Sequence, residues 1–302
     1  MKKHILFTLL TALLAMAFPF HSSGLVKPVD FNYPKDVSKE ALSDLDKALK
    51  DGDGQMTVNA LVRYSIAQSG ISQDNMPDIV NQLETVIKKE KQPHVRALLN
   101  YFEATVYEGY LNRYGWGRQR NNPVEETPTD ISEWSREQFE HKIVELIKKS
   151  IADVESLAQV PVTSLSEILF YNKLGTKYVP TMREFMLMKG LELLEDIDEG
   201  DGRALRDAIK YRWVDETEGD IPAHIYAMTS VGKSISKEEY EKYKDSEYSA
   251  LLLKHMYFPE GERYKMLKDY VSRFPKSPFT PEIKNQITEI ERMSVYLTYR
   301  HR

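Results

Sequence analysis

Residues 178–197 read Tyr178-Val179-Pro180-Thr181-Met182-Arg183-Glu184-Phe185-Met186-Leu187-Met188-Lys189-Gly190-Leu191-Glu192-Leu193-Leu194-Glu195-Asp196-Ile197. Thr181 and Glu184 have the spacing of a capping box, in which a hydroxyl accepts from an amide in the first turn and a carboxylate reaches back to the cap amide. Pro180 disfavours helix at Val179 and sharpens the start. Met182, Phe185, Met186, Met188, Leu191, Leu193, Leu194 and Ile197 then cover more than one stripe. Arg183, Lys189, Glu192 and Glu195 are left as the polar remainder. A surface helix keeps one broad polar face, so this segment is expected to be the most buried helix, packed on at least two sides. Each large apolar side chain it buries contributes roughly 1.5–3 kcal/mol.

The flanking sequence repeats the helical signal. Ser38 is read as the cap of a helix with Leu42, Leu45 and Leu49 on one face, stopped by Gly52 and Gly54. Thr57 to Ser69 follows, then a helix opened by Met76-Pro77 with Ile79, Val80, Leu83, Val86 and Ile87 inward. Pro93 suits a first helical position and starts a long helix with Val95, Leu98, Leu99, Phe102, Val106 and Tyr110 at steps of three and four. Asn121 to Asp130 reads as a loop. Ser135 and Gln138 make a second capping box before Phe139, Ile143, Leu146, Ile147, Ile151, Val154 and Leu157, a helix that Pro161 breaks. Ser164 and Glu167 are expected to cap a short helix through Tyr171.

Beyond Asp198 the expected helices are Arg203 to Trp213, Pro222 to Thr229, Ser236 to Leu253, Gly261 to Phe274 and Pro281 to Tyr299. Alternating apolar and polar runs, the mark of strands, are scarce. The fold class is therefore all-α: an irregular α-solenoid, tetratricopeptide-like in architecture but without the strict 34-residue pattern. The expected division is a targeting segment over 1–24, an extended lead-in over 25–37, a helical domain over 38–200 and further hairpins over 201–302.

The 302 residues are 41% hydrophobic and 29% charged, enough apolar content for a core and too much for a disordered chain. Lys2 and Lys3 precede an apolar run from Ile5 to Phe18, too short to span a bilayer comfortably. Ser22 and Gly24 place small residues for cleavage after Gly24. This segment reads as a removed export signal, with a retained N-terminal anchor as the alternative. Its removal takes away two positive charges, so the net charge goes from −5 to −7. An acidic exported chain has no general attraction for nucleic acid or anionic lipid. The expected location is the periplasm or cell envelope of a Gram-negative bacterium. The chain has no cysteine, which excludes disulfides, thiolate metal sites and a cysteine nucleophile.

Motifs with chemical meaning are few. Asp51-Gly52-Asp53-Gly54 begins like a calcium loop, but Met56 and Val62 stand where glycine and glutamate are needed. Val231-Gly232-Lys233-Ser234 ends like a phosphate loop, but Ala227 occupies the position of its first glycine. His94, His141, His224, His255 and His301 form no metal-ligand spacing. No catalytic, cofactor or metal residues are assigned. The recognition candidate is the aromatic and basic stretch Tyr110 to Arg120, with Arg113, Tyr114, Trp116, Arg118 and Arg120 as a surface for a protein partner. Its alternative is a helix end whose aromatics complete the core.

Three stretches together resemble a known family. They are Tyr107-Glu108-Gly109-Tyr110-Leu111-Asn112-Arg113-Tyr114-Gly115-Trp116 with Arg118 to Asn121, Asp130-Ile131-Ser132-Glu133-Trp134, and Tyr178 to Phe185. Their order and spacing look like the N-terminal helical region of the large alpha-2-macroglobulin-like proteins of Bacteroidetes, over about residues 35–200. The resemblance implies a cell-envelope role in trapping foreign proteases. Met182 and Arg183 depart from the family, which has apolar and aromatic residues there. Without cysteine the family's covalent thioester trap does not carry over, and no functional residue transfers. The expectation is a non-enzymatic exported scaffold or interaction module. Alternatives are a stand-alone peptide- or protein-binding solenoid of the cell envelope and an envelope hydrolase using scattered carboxylates, which only a cleft with clustered acids would revive.

Overall fold

The computed structural model describes residues 33–114, 124–166, 168–169, 175–197, 200–257 and 259–300. These form an all-α helical array. The one sheet-like contact among them is an isolated bridge between Pro161 and Thr181. Contacts divide the chain into two units, one ending at Ile209 and the other starting at Lys210.

The first unit opens with α1 (Pro34–Asp51) and α2 (Gly54–Ile71). Pro34, not Ser38, marks the start of α1, as its fixed φ suits a first helical position. Ser38 is buried inside the helix, where its hydroxyl accepts from Gln68 Nε2 at 2.9 Å. The inward stripe is Ser38, Ala41, Leu45 and Ala48, while Leu49 is exposed. Small residues at three of these four positions let α2 approach closely. Gly52 ends α1 at φ +68°, a left-handed turn that suits glycine. Asp53 then caps α2 by accepting from Met56 N, so Gly54 starts a helix and does not end one.

Helix α3 (Met76–Lys89) buries Ile79, Val80, Leu83 and Val86. Helix α4 (Pro93–Tyr114) buries residues on nearly every side from Val95 to Tyr107. Ser135 caps α5 (Arg136–Ser150) in the expected capping box with Gln138. The single helix expected from Phe139 to Leu157 is two: α5 ends at Ser150, and Asp153 caps a short α6 (Val154–Ala158) through Ser156 N. Both pieces bury their apolar residues, so the periodicity runs through a break that falls at Ile151 and is followed by the Asp153 cap. Ser164 lies within a 3₁₀ turn, Val162–Leu165, and donates to Pro161 O; Glu167 and Tyr171 lie outside the described residues.

A four-residue helix α7 (Gly175–Tyr178) leads into α8 (Met182–Leu193). Thr181 and Glu184 form the capping box, with Thr181 N donating to Glu184 Oε2 at 3.0 Å. Two backbone bonds clip the helix start to the earlier loop: Val162 N donates to Pro180 O at 3.0 Å and Met182 N to Val160 O at 2.9 Å. Every residue from Met182 to Gly190 except Arg183 is buried, and α8 packs on α4 and α6. Lys189, expected to face water, is buried; its stem lies in the core and its ammonium reaches Glu192 Oε2 at 2.6 Å on the half-exposed side.

Helix α9 (Gly200–Glu216) contains the division between the units. In the second unit follow α10 (Ile221–Ser230), α11 (Lys237–Tyr243), α12 (Ser249–His255), α13 (Glu260–Arg273) and α14 (Thr280–Arg300). The helix expected from Ser236 to Leu253 is split into α11 and α12. Carbonyls freed at the break have side-chain partners: Arg273 Nη1 donates to Lys244 O at 2.6 Å and the Tyr270 hydroxyl to Glu247 O at 2.6 Å. Trp213, Ile225, Leu252, Leu267, Tyr270 and Ile283 are buried within this unit.

Candidate functional site

Among the described residues, a cleft of about 550 Å³ lies where α3, α4 and α5 meet the turn before α6. Its size suits a small ligand or a short chain segment. Helix periodicity builds its walls. From α4, Arg96, Asn100 and Glu103 follow the i, i+4, i+7 spacing that puts residues on one stripe. From α5, Lys142, Leu146 and Lys149 repeat that spacing. Helix α3 contributes Glu84, Ile87 and Lys88. Apolar wall is supplied by Ile87, Pro93, Ala97, Leu146 and Leu157.

Glu103 is the buried end of this stripe, its residue only 1% exposed. Its Oε1 has no hydrogen-bond partner. The nearest cation is Lys142, whose Nζ stands 3.9 Å from Glu103 Oε1, 3.6 Å from Glu84 and 3.9 Å from Glu145. One ammonium thus balances three carboxylates at charge-pair range without a close bond to any. Lys88 and Lys149 extend the alternation, pairing with Glu84 at 3.4 Å and Glu145 at 2.5 Å.

Electrostatics follow from this layout. Burial pushes the Glu103 carboxyl up to about 7; Lys142 and Lys149 pull it down and Glu84 and Glu145 push it up, and burial wins. Burial also raises the Tyr107 hydroxyl, aided by the charge of Glu103. Glu145 is held below the usual carboxylate range: its partial burial raises it, but the Lys149 hydrogen bond with Lys142, Lys149 and His141 outweighs that.

Below the cleft the packing is aromatic. Tyr107 stacks on Trp134 at 5.5 Å with an 8° interplanar angle, and Phe139 lies 5.2 Å from Trp134. Trp134 Nε1 donates to Pro128 O at 2.7 Å, which fixes the loop before α5. Lys142 Nζ lies 5.8 Å from the Tyr107 ring centroid.

Of the recognition stretch expected from sequence, only the start is described, and none of its described residues lines the cleft. Arg113 is exposed in the last turn of α4 and Tyr114 ends that helix; Trp116, Arg118 and Arg120 lie outside the described residues, as does His301. Asp51 to Gly54 is the α1–α2 turn. In Val231 to Ser234, Gly232 adopts φ +68° after α10, and Lys233 pairs with Glu239 at 2.6 Å. Among the described residues no group of three His, Asp or Glu is placed to hold a metal ion, and no helix is long and apolar enough to cross a membrane.

Sequence reasoning missed Glu84, Arg96, Glu103 and Lys142. The available signal was a charge inside an apolar helix: Glu103 sits between Phe102 and Ala104, with Leu98, Leu99 and Val106 nearby. Comparison with protein-family models, curated proteins and solved structures finds no match to this chain.

Proposed function

We propose that this chain is a non-enzymatic exported helical scaffold that holds a polypeptide segment in the cleft between α3, α4 and α5. The observation that carries this reading is Glu103, a buried carboxylate lining a cleft with apolar walls, whose Oε1 has an ion pair with Lys142 at 3.9 Å but no hydrogen-bond donor. A buried acceptor left without a donor costs about 1–3 kcal/mol, a cost that a bound donor removes. Peptides supply donors at close intervals. The export-type N-terminus and the resemblance of residues 35–200 to the helical region of alpha-2-macroglobulin-like proteins support a docking role in the cell envelope, with an envelope protein or a protease as the source of the segment.

The test is a photo-crosslinking side chain placed at Lys88, on the cleft wall, in the full chain expressed with its export segment. Adducts to polypeptide that vanish when Glu103 is changed to Lys support the reading. Adducts unchanged by that substitution, or none, overturn it.

A second reading is favoured by one specific observation: a carboxyl raised to about 7 beside a lysine is how a general acid looks. It predicts hydrolysis by the purified chain that disappears in Glu103→Gln. Binding without turnover supports the scaffold.

A further inference from the structure

We propose that the cleft selects short peptides of about three residues with both ends free, the ammonium meeting Glu103 and the carboxylate meeting Arg96. This rests on the reading of the cleft as a peptide site and adds the chemistry of its ligand.

Geometry sets the length. Arg96 and Glu103 stand seven residues apart on one stripe of α4, two turns, which separates their backbones by about 10.5 Å. An extended chain advances about 3.3–3.6 Å per residue, so three residues cover that span. Asn100 lies midway along the stripe, with its Nδ2 tied to Arg96 O at 2.8 Å.

Chemistry sets the direction. Glu103 is the buried end and acceptor-only when ionised, so it takes the ammonium. Lys142 faces the surrounding carboxylates from 3.6–3.9 Å, forming a 3.9 Å ion pair with Glu103 Oε1 but no hydrogen bond to it. The exposed guanidinium of Arg96 suits a carboxylate, which it holds with two parallel bonds. Apolar residues such as Ile87 and Leu146 line the same cleft and suit an aliphatic side chain.

Proton linkage gives an independent readout. The charged groups acting on Glu103 are Glu84 from α3 and Lys142, Glu145 and Lys149 from α5, with the Tyr107 hydroxyl on α4 itself coupled to it; Lys88 pairs with Glu84. With its carboxyl at about 7, Glu103 is near half protonated at neutral pH. An arriving ammonium ionises it and releases on the order of half a proton.

The experiment is calorimetric titration of the full mature protein with Ala-Leu-Ala, its N-acetyl form and its C-terminal amide, in two buffers of different ionisation heat. Free Ala-Leu-Ala binds with proton release, and acetylation weakens binding at least about tenfold, as does Glu103→Gln. Amidation and Arg96→Ala weaken it severalfold, and to the same level, because they remove the two sides of one contact. Equal binding of free and capped peptides would overturn this inference while leaving the cleft a peptide site. Proton uptake on binding, or no heat with any peptide, overturns it as well; if the Lys88 crosslinker also captures nothing, the peptide-site reading falls with it.

Discussion

Two buried glutamates, Glu184 in α8 and Glu103 in α4, divide the first unit into a part that is finished and a part that is open. Glu184 is 0% exposed and fully engaged: Thr181 N and Oγ1 donate to one oxygen, and Arg183 Nε to the other at 2.6 Å. Glu103 is 1% exposed with an oxygen unbonded and its cation at 3.9 Å. Burial alone therefore does not tell a satisfied carboxylate from an unsatisfied one. The count of donors does, because a satisfied buried charge locks a helix start and an unsatisfied one costs stability until something binds.

The sharpest way to break this contrast is to remove the carboxylate of α8. Glu184→Ala takes away half of the capping box and the partner of Arg183, and urea unfolding is expected to show a loss of about 3–5 kcal/mol at neutral pH. A loss below about 1 kcal/mol would place Glu184 in the same category as Glu103.

Glu103 is expected to behave conditionally. Its folded-state carboxyl is raised from 4.5 to about 7, so the folded chain holds the proton more tightly than the unfolded one. The resulting stability is fully present below the ordinary carboxyl range and is lost as pH rises to about 7. Glu103→Gln removes that dependence. Denaturant titrations of parent and variant near pH 5 and near pH 8 should diverge by roughly 3 kcal/mol, with the variant favoured at the higher pH. Parallel curves would mean that Glu103 has a donor after all.

Smaller effects sharpen the boundary. A Cβ on Gly54 would meet Val95 Cγ2 at 2.4 Å, so Gly54→Ala pushes α2 away from the start of the stripe that carries Arg96. Thermal unfolding should show a loss of about 1–3 kcal/mol. Lys149→Ala, at the exposed rim, removes an i,i+4 pair with Glu145 and should change stability by less than about 0.5 kcal/mol. A large loss there would make the charge alternation structural instead of a recognition surface.

Much of the array was legible because its signals are local. The capping boxes at Ser135 and Thr181 each rest on two residues three apart, and both formed as read. Ser38 misled because a serine before an apolar stripe looks like a cap, while Pro34 had already started the helix and Gln68, 30 residues away, took the hydroxyl. The breaks at Ile151 and after Tyr243 escaped notice because both flanks keep their apolar spacing. Glu103 was illegible for a further reason. Its meaning lies in the hydrogen bond that Lys142, on another helix, does not donate and in the like charge of Glu84 on a third, and no spacing within α4 records that.

The crowding of α8 also separates the methionines by chemical fate. Met182 and Met186 are 0% exposed, whereas Met56 and Met293 are 38% and 56% exposed. Sulfoxide formation needs access to the sulfur, so a peroxide pulse on the native chain would mark Met56 and Met293 first. Oxygen arriving on Met182 or Met186 would time the opening of the helix itself, a clock for damage already built into the chain.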